Sequence, residues 1–551
     1  MTTFSTVTNN HQAPWRMWML MLAALAIRLY ALHLTAIINP DGSIYIQQAR
    51  AIAIGQWKTG LNSVTFISLP PALISLFHLV CPDWLMAARA VSITFGTLAL
   101  FPLNGLLRRF FTPLESLATT AVMTFLPTWV SNSIDVVRDP VAWFFALYGL
   151  YWLVKGVEEQ KKILLPISCL SFILAAWARI EFLLYPAIFI CFPIISNRSR
   201  KWTTVFLFFL PVIIALSILI IIHGHGKSIF LQASRLQDGI AAITNGIPQY
   251  AELRKSLSIL SHQQNFQLSC FLDEARSFVW LIGMATIANR LFEAMSYPVT
   301  TIAVFSIGAF LRRNNSSNRD LAIFLTLLSA SAIGILYART LQQWVIEYRY
   351  MMLAIIPAAL FLAAGISSLA KRINKTGWLT EKNSLLLLTG LLIISTIPKN
   401  IEARGISEVA LMQIGKFLDQ NTSPNQEVTI AASEQTIRIV HFYANITRPG
   451  APFPKLPDDT YSSLVGASVN DLVVNLQRRH IEYLLWEENN RPPGWPSKLN
   501  NDKLIEINRW HNHQTGAIIV YKVKSDDGNS RTTDDQSPPS LPQEATLPGN
   551  G

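Results

Sequence analysis

The chain has 551 residues, 51% of them apolar and only 14% charged, with 29 Phe, 15 Trp and a formal net charge of +11. Soluble domains are about a quarter charged, so this composition excludes an ordinary soluble enzyme and indicates an integral membrane protein. The positive balance does not indicate nucleic acid, because the basic residues lie mainly between apolar runs, where they set orientation. Four cysteines are too few for a disulfide framework. Cys169 and Cys191 fall inside apolar runs as packing residues, which leaves Cys81 and Cys270 as the one pair that could bridge on the outer side.

Apolar runs recur from Trp15 to Pro398, and most are long enough for a hydrocarbon core of about 30 Å. The first, 15–38, has no small-x-small cleavage site at its end and is expected to stay as an anchor. Directly after it comes Asn39-Pro40-Asp41-Gly42-Ser43-Ile44-Tyr45, leading into the amphipathic stretch 45–57. The segment 64–80 carries Pro70-Pro71 and reads as a re-entrant or surface-lying helix. Further spans are expected at 86–107, 114–131, 140–154, 163–178, 182–197, 203–222, 297–311, 320–338, 350–370 and 384–398. With 15–38 this makes about eleven transmembrane helices in a polytopic α-helical membrane domain, 1–398.

This count places Arg16, Arg108, Arg109, Lys155, Arg198, Arg200, Arg312, Arg313, Lys371, Arg372 and their basic neighbours on one face, which the positive-inside rule assigns to the cytoplasm. The N-terminus is then cytoplasmic and the C-terminal domain extracytoplasmic. The ionisable residues near span ends that topology does not explain all fall on the opposite face: Asp41, Asp135, Arg138, Asp139, Arg179, Glu181, Arg339, Glu347 and Arg349. Ionisable groups at membrane depth are costly and usually line a cavity, so their convergence points to one site. The outer loop 223–297 is expected to form helices along the membrane surface, at 229–242 and 278–292.

From 401 to 524 the composition changes to that of a small extracytoplasmic α/β domain. Helix-like 406–420 is followed by strand-like 427–432, helix-like 469–479, and strand-like 481–486 and 516–523. The tail 525–551, rich in Ser, Asp, Pro and Gly, is expected to be disordered. No internal repeat suggests a two-fold transporter.

Glycosyl transfer from a lipid phosphate needs a base for the acceptor's proton, cations for the leaving phosphate and a groove for the lipid. Asp41 is the candidate base; the alternative is a helix cap, since Asp is a favoured N-cap. Asp135 is the better second carboxylate, because Asp139 before Pro140 suits an N-cap. Arg138 could pair with either. Arg179, Glu181, Arg339 and Arg349, each alone, read as interfacial anchors or ion-pair partners. Together they suit a phosphate, whose oxygens match the planar arginine fork. His223-Gly224-His225 and His511-Asn512-His513 lack a further metal ligand at convincing spacing. No nucleotide-binding loop or serine nucleophile elbow occurs in the required setting, which fits a donor already activated on a lipid.

The chain resembles GT-C-type glycosyltransferases, in particular the protein O-mannosyltransferase and lipid A aminoarabinose transferase group. The residues that carry the resemblance are Pro40-Asp41, Tyr45, Gln48-Ala49-Arg50-Ala51-Ile52-Ala53 and Gly55-Gln56-Trp57, similar to that family's first outer loop. It continues through Pro70-Pro71, Arg89-Ala90-Val91-Ser92, Arg138-Asp139-Pro140, Arg179-Ile180-Glu181 and Tyr348-Arg349-Tyr350. The resemblance implies inverting transfer of a hexosyl or pentosyl group from a polyprenyl-phosphate sugar, with Asp41 as base, Asp135 assisting, and Tyr45 and the arginines around the donor. The implied acceptor is an envelope glycan, glycolipid or protein, and the implied location a bacterial inner membrane. Many relatives carry a second acidic residue straight after the first, where this chain has Gly42, so no metal or other cofactor is expected. Two other classes stay open: a ligase of lipid-linked glycans, for which His223, His225 and Arg235 would be relevant, and a non-catalytic lipid or polysaccharide translocase.

Overall fold

The computed structural model describes residues 15–56, 67–196, 198, 200–224, 246–263, 265–314, 318–344, 346–512 and 515–524. Trp57, His225, Arg235, His513, the stretch 229–242 and the tail 525–551 lie outside them. The described chain is mostly helical up to Asn400, with a four-stranded sheet in the C-terminal part.

The helical part is built around Met352–Lys375, which is apolar and buried on nearly all sides from Met352 to Ser367. An all-round apolar helix is stable only when covered, and this one packs on Tyr297–Phe305, Arg319–Gln343, Glu381–Asn400 and Pro113–Thr124. Gly365 permits the closest approach: a Cβ there would lie 2.4 Å from both the Ile302 and Ser306 side chains. Asp139–Glu158 and Leu164–Ala178 form a hairpin in which Phe172 occupies the space beside Gly149. By contrast Trp15–His33 buries only Met21, Ala24, Arg28 and Ala31, and leaves Trp15, Trp18, Met19, Leu22, Leu29 and Tyr30 exposed.

Among the described residues six helices are long and apolar enough to cross a membrane, including Trp15–His33, Asp139–Glu158, Arg319–Gln343 and Tyr348–Lys375. The apolar helices Leu164–Ala178, Ile180–Ile195 and Lys201–Ser217 are shorter. Proline decides several breaks: the expected span 114–131 is Pro113–Thr124 followed by Pro127–Ile134, with Pro127 opening the second piece. Leu69–His78 has 10 residues, about 15 Å of helix and too short to cross, as its Pro70-Pro71 suggests.

One expectation is corrected. Residues 278–292 do not form a short surface helix but belong to the 30-residue helix Phe266–Met295, itself long and apolar enough to cross a membrane. Only Ser296, at φ 73°, separates it from Tyr297–Phe305. Its last turns lie among the spans, where Leu291 and Met295 share an apolar cavity with Ile333 and Ile355. The expected span at 297–311 is thus the second part of a longer, broken element. Cys81 and Cys270 are both free thiols, so they form no bridge.

In the C-terminal part the strand order is β1 (Ile430–Ala431), β2 (Tyr483–Glu487), β4 (Gly516–Val523), β3 (Leu504–Asn512). β1 runs parallel to β2, and the other pairs are antiparallel. Alternate side chains serve two cores, as the period of a strand dictates. Leu485, Ile518 and Val520 join the core that includes Val409–Asn421, Glu434–Asn445 and the helical part. Leu484, Trp486, Ile519 and Tyr521 pack with Leu472 and Leu476 of Val469–Arg478. The helix Glu434–Asn445 and strand β3 were not expected from the sequence.

Gly365→Ala is expected to lower the melting temperature by overpacking, at a cost of about 1–3 kcal/mol. Gly334→Ala, where an added Cβ meets nothing within 4 Å, should be neutral or stabilising by up to about 1 kcal/mol. Thermal unfolding of the two variants in detergent compares the sites directly.

Candidate functional site

Pro40 opens the helix Pro40–Ala53, and Asn39 caps it by accepting the N–H of Asp41 on Oδ1 at 2.9 Å. Asp41 is therefore not the cap: it stands in the first turn, with its carboxylate available for other partners. Next to it, a Cβ on Gly42 would lie 2.8 Å from Val136 Cβ and 2.9 Å from the Val136 carbonyl oxygen. Only glycine lets the helix come this close to the 135–137 turn, and there is no room at position 42 for a second acidic side chain.

Two guanidinium groups hold the Asp41 carboxylate. Arg349 Nη2 lies 3.0 Å from Oδ2, and Arg438 Nη1 lies 3.6 Å from Oδ1. Arg349 belongs to the single turn Tyr348–Met351 that leads into the central helix, and also pairs with Glu347 at 2.7 Å. Asp135 follows the end of Pro127–Ile134 and is joined to the same group through Asn39, whose Nδ2 donates to Asp135 Oδ2 at 3.4 Å. The Val136 N–H donates to its other oxygen at 3.2 Å. Burial pushes the Asp135 carboxyl above its ordinary range, against the Val136 N–H, the Asn39 amide and the charges of Arg349 and Arg89.

A second cluster adjoins the first. Arg179 is buried at the end of Leu164–Ala178, and its ion pairs are with Asp139 and, at 3.3 Å, with Glu181. Asp139 was expected to cap the helix that starts before Pro140. It is instead the first helical residue, buried, and its carboxylate is spent on Arg179. Arg339 pairs with Glu181 at 2.9 Å and donates to the Tyr350 hydroxyl at 3.1 Å. The Tyr350 ring has the Arg179 and Arg339 guanidinium carbons each 4.3 Å from its centroid, with Arg349 at 5.9 Å. Asp139, Arg179, Glu181 and Arg349 line a small cleft with Tyr350, and its apolar wall includes Trp143, Leu336 and Leu353.

Tyr45 is buried between the clusters, with Arg138 5.5 Å from its ring centroid. Burial pushes its phenol up to about 12, with Arg138, Arg349 and Arg179 opposing and Asp41 adding to the shift. Asp41, Asp135, Tyr45, Arg138, Arg179, Glu181, Arg339 and Arg349 thus come together at one end of the helices. Four participants were not foreseen in these roles: Asn39, Asp139, Tyr350 and Arg438. Tyr350 lies inside the Tyr348-Arg349-Tyr350 motif and Asn39 next to Asp41, so both were within sight. Arg438 carries no local signal, since only folding joins it to Asp41. Among the described residues no group of three or more His, Cys, Asp and Glu is placed to hold a metal ion.

No protein-family model matches the sequence, and no functionally characterised protein matches it at the sequence level. Among solved structures, an oligosaccharyltransferase of Archaeoglobus fulgidus in complex with Zn and sulfate superposes with a TM-score of 0.54 at 13% identity, over 85% of this chain and 68% of that one. The archaeal oligosaccharyltransferase AglB of Archaeoglobus fulgidus, in complex with an inhibitory peptide and a dolichol-phosphate, gives 0.50 at 11% identity, over 86% and 70% of the two chains. ArnT from Cupriavidus metallidurans bound to undecaprenyl phosphate aligns over 93% and 98% at 10% identity, but its TM-score of 0.41 is too low to establish a shared fold. The fold is therefore that of the archaeal oligosaccharyltransferase over most of this chain, which agrees with the resemblance to GT-C-type enzymes. At these identities the likeness establishes fold alone.

A carboxyl whose proton affinity rises on folding favours the folded state only while protonated. That contribution is complete below the unfolded-state value of about 3.9 and is lost as pH rises through the folded-state value. Asp135→Asn removes the buried charge and keeps an acceptor for one of the two donors, the Val136 N–H or the Asn39 amide. It is expected to raise the melting temperature at neutral pH, with the gain shrinking as the pH falls towards about 4. Thermal unfolding across that range checks this; a lower melting temperature at neutral pH would mean that the site stabilises the Asp135 charge.

Proposed function

We propose that this chain is an integral-membrane glycosyltransferase of the GT-C type that moves a sugar from a polyprenyl phosphate to an envelope glycan, glycolipid or protein. The observation that carries this reading is the pairing of Asp41 with Arg349 at the cleft of Arg179 and Tyr350, with Arg339 held beside it by Glu181 and the Tyr350 hydroxyl. One carboxylate and a row of guanidinium groups are the base and the phosphate clamp that such a transfer needs. The dolichol-phosphate and inhibitory peptide named with AglB are consistent with it.

In the proposed reaction an acceptor hydroxyl or amine gives its proton to Asp41 as its lone pair attacks the anomeric carbon. The bond from that carbon to the phosphate oxygen breaks on the opposite face, and its electron pair leaves with the phosphate. The configuration inverts. Arg349, Arg339 and Arg179 meet the charge that develops on the phosphate, with forked geometry that a lysine cannot reproduce. Asp135, joined to Asp41 through Asn39, assists in orienting the acceptor, and Arg138 over Tyr45 closes the side of the site. Below the cleft an apolar cavity of about 140 Å³, lined by residues including Leu291, Ile333, Ile355 and Phe361, offers a groove for the prenyl chain. The proposed transfer uses no metal at Asp41, whose two oxygens face guanidinium groups and beside which Gly42 leaves no room for a further carboxylate.

The sugar-transfer site is proposed to face away from the cytoplasm of a bacterial inner membrane, with the N-terminus inside. Cysteine labelling should then reach Gln435→Cys without permeabilisation and Asn383→Cys only after it; the reverse pattern would invert the orientation. For the chemistry, Asp41→Asn is expected to leave the fold intact, since Asn39 is the cap and Arg349 and Arg438 keep Glu347 and Glu434. It should lower transfer from a polyprenyl-phosphate sugar by about 10²–10⁴-fold, the usual contribution of a general base. Arg349→Lys should weaken donor binding roughly tenfold or more. Near-normal turnover by a folded Asp41→Asn protein would remove Asp41 from the mechanism.

A further inference from the structure

The helix Glu434–Asn445 presents Arg438, His441, Phe442 and Asn445 at helical spacing along one face, and this helix packs on Pro40–Ala53. The contact is fastened at both ends. Arg50 donates to the carbonyl oxygens of Asn445, at 3.3 Å, and of Arg448. A cation suits that place, because the last carbonyls of a helix are unpaired and its dipole is negative there. At the other end the N–H of Ile38, just before the cap Asn39, donates to the Tyr443 hydroxyl at 3.2 Å. Between these fixed points Ser43, Gln47, Arg438, His441 and Phe442 enclose a narrow seam. In it Gln47 Nε2, His441 Nδ1 and Arg438 Nε are buried with no protein partner.

Arg438 could be read as one half of an exposed helical ion pair, since it also meets Glu434 four residues earlier at 2.6 Å. Such pairs contribute about 0.3–0.5 kcal/mol and impose little. The clamped helix and the buried Nε argue for more: the guanidinium is held where its remaining arm faces the Asp41 oxygen that Arg349 does not use. Arg349, by contrast, lines the cleft with Arg179 and Tyr350, where the donor phosphate would sit.

We propose that Arg438 is a positioning residue: it keeps hold of Asp41 through one oxygen when Arg349 turns from the other oxygen to the donor phosphate. The oxygen that Arg349 releases is then the one that takes the acceptor's proton. In this arrangement the C-terminal part of the chain orients the base without touching the donor. The inference rests on the proposed role of Asp41 and Arg349.

A double-mutant cycle tests the pairing independently of turnover. Wild type, Asp41→Asn, Arg438→Gln and the double variant are unfolded thermally in detergent, with and without saturating undecaprenyl phosphate. The expected result is modest non-additivity without the lipid, where Arg438 shares Asp41 with Arg349, and clearly larger non-additivity with it. In the transfer assay Arg438→Gln should lower kcat about ten- to a hundredfold, the scale of a misplaced reacting group. Donor KM and undecaprenyl phosphate affinity should stay within about twofold of wild type, a change below 0.5 kcal/mol in binding, and Arg438→Lys should recover part of the loss. Additivity in both conditions overturns the proposal, and so does a loss of undecaprenyl phosphate affinity like that of Arg349→Lys. If wild-type protein transfers no sugar but the cycle is non-additive with the lipid, the glycosyltransferase reading fails and the pairing stands.

Discussion

The site depends on one close approach of backbones. Because position 42 has no side chain, the first turn of Pro40–Ala53 rests directly on Val136, and that contact sets where Asp41 and Asn39 stand. From there Asn39 can bond both the Asp41 N–H and Asp135, while Asp41 reaches Arg349 on one side and Arg438 on the other. A Cβ at this position would push the helix outward and separate all four. The glycine that stands where many GT-C-type enzymes carry a second acidic residue therefore has a packing reason in this chain.

The charges around this point are balanced before any ligand arrives. Arg179 has Asp139 and Glu181, Arg339 has Glu181, Arg349 has Asp41 and Glu347, and Arg438 has Asp41 and Glu434. An unpaired charge buried between apolar helices would cost several kcal/mol, so each arginine needs its carboxylate for the empty site to hold together. An incoming phosphate would compete for donors that already point in fixed directions. It gains a preorganised clamp but must displace a carboxylate, so the clamp favours a phosphate on which negative charge builds up as the sugar leaves over the singly charged diester.

The opposite end of the helices uses the same kind of pairing for a different purpose. Arg313 joins Glu115 at 2.9 Å and also donates to Ser367, tying three helices together. Arg198 pairs with Asp320 at 2.6 Å and donates to the Val157 carbonyl oxygen. These bonds fix helix ends around a packed interior, and none of their partners lines the cleft beside Tyr350. The contrast separates ion pairs that hold the scaffold from those arranged around a space.

The apolar runs, their basic flanks and the change of composition after Pro398 were legible along the chain, because burial in a helical bundle imposes local hydropathy that needs no knowledge of neighbours. So were Asp41, Asp135, Arg179, Glu181, Arg339 and Arg349, since ionisable residues near span ends are conspicuous against apolar surroundings. The strand Gly516–Val523 and the helix Val469–Arg478 also fall where the sequence reads as strand-like and helix-like. Glu434–Asn445 was not, because Ile437, Ile439, Val440, Phe442 and Tyr443 suit a strand as well as a helix, and packing against Pro40–Ala53 decides between them. Phe266–Met295 was misjudged for the opposite reason: its polar residues mask an element whose last turns lie among the spans. Which carboxylate caps a helix and which pairs with an arginine was beyond spacing as well, since Asn39 capping Asp41 and Arg179 claiming Asp139 depend on where other segments come to lie. Sequence carries the requirements of each residue's own surroundings; the partners of Asp41 come from segments hundreds of residues apart, and only the tertiary fold brings them within reach.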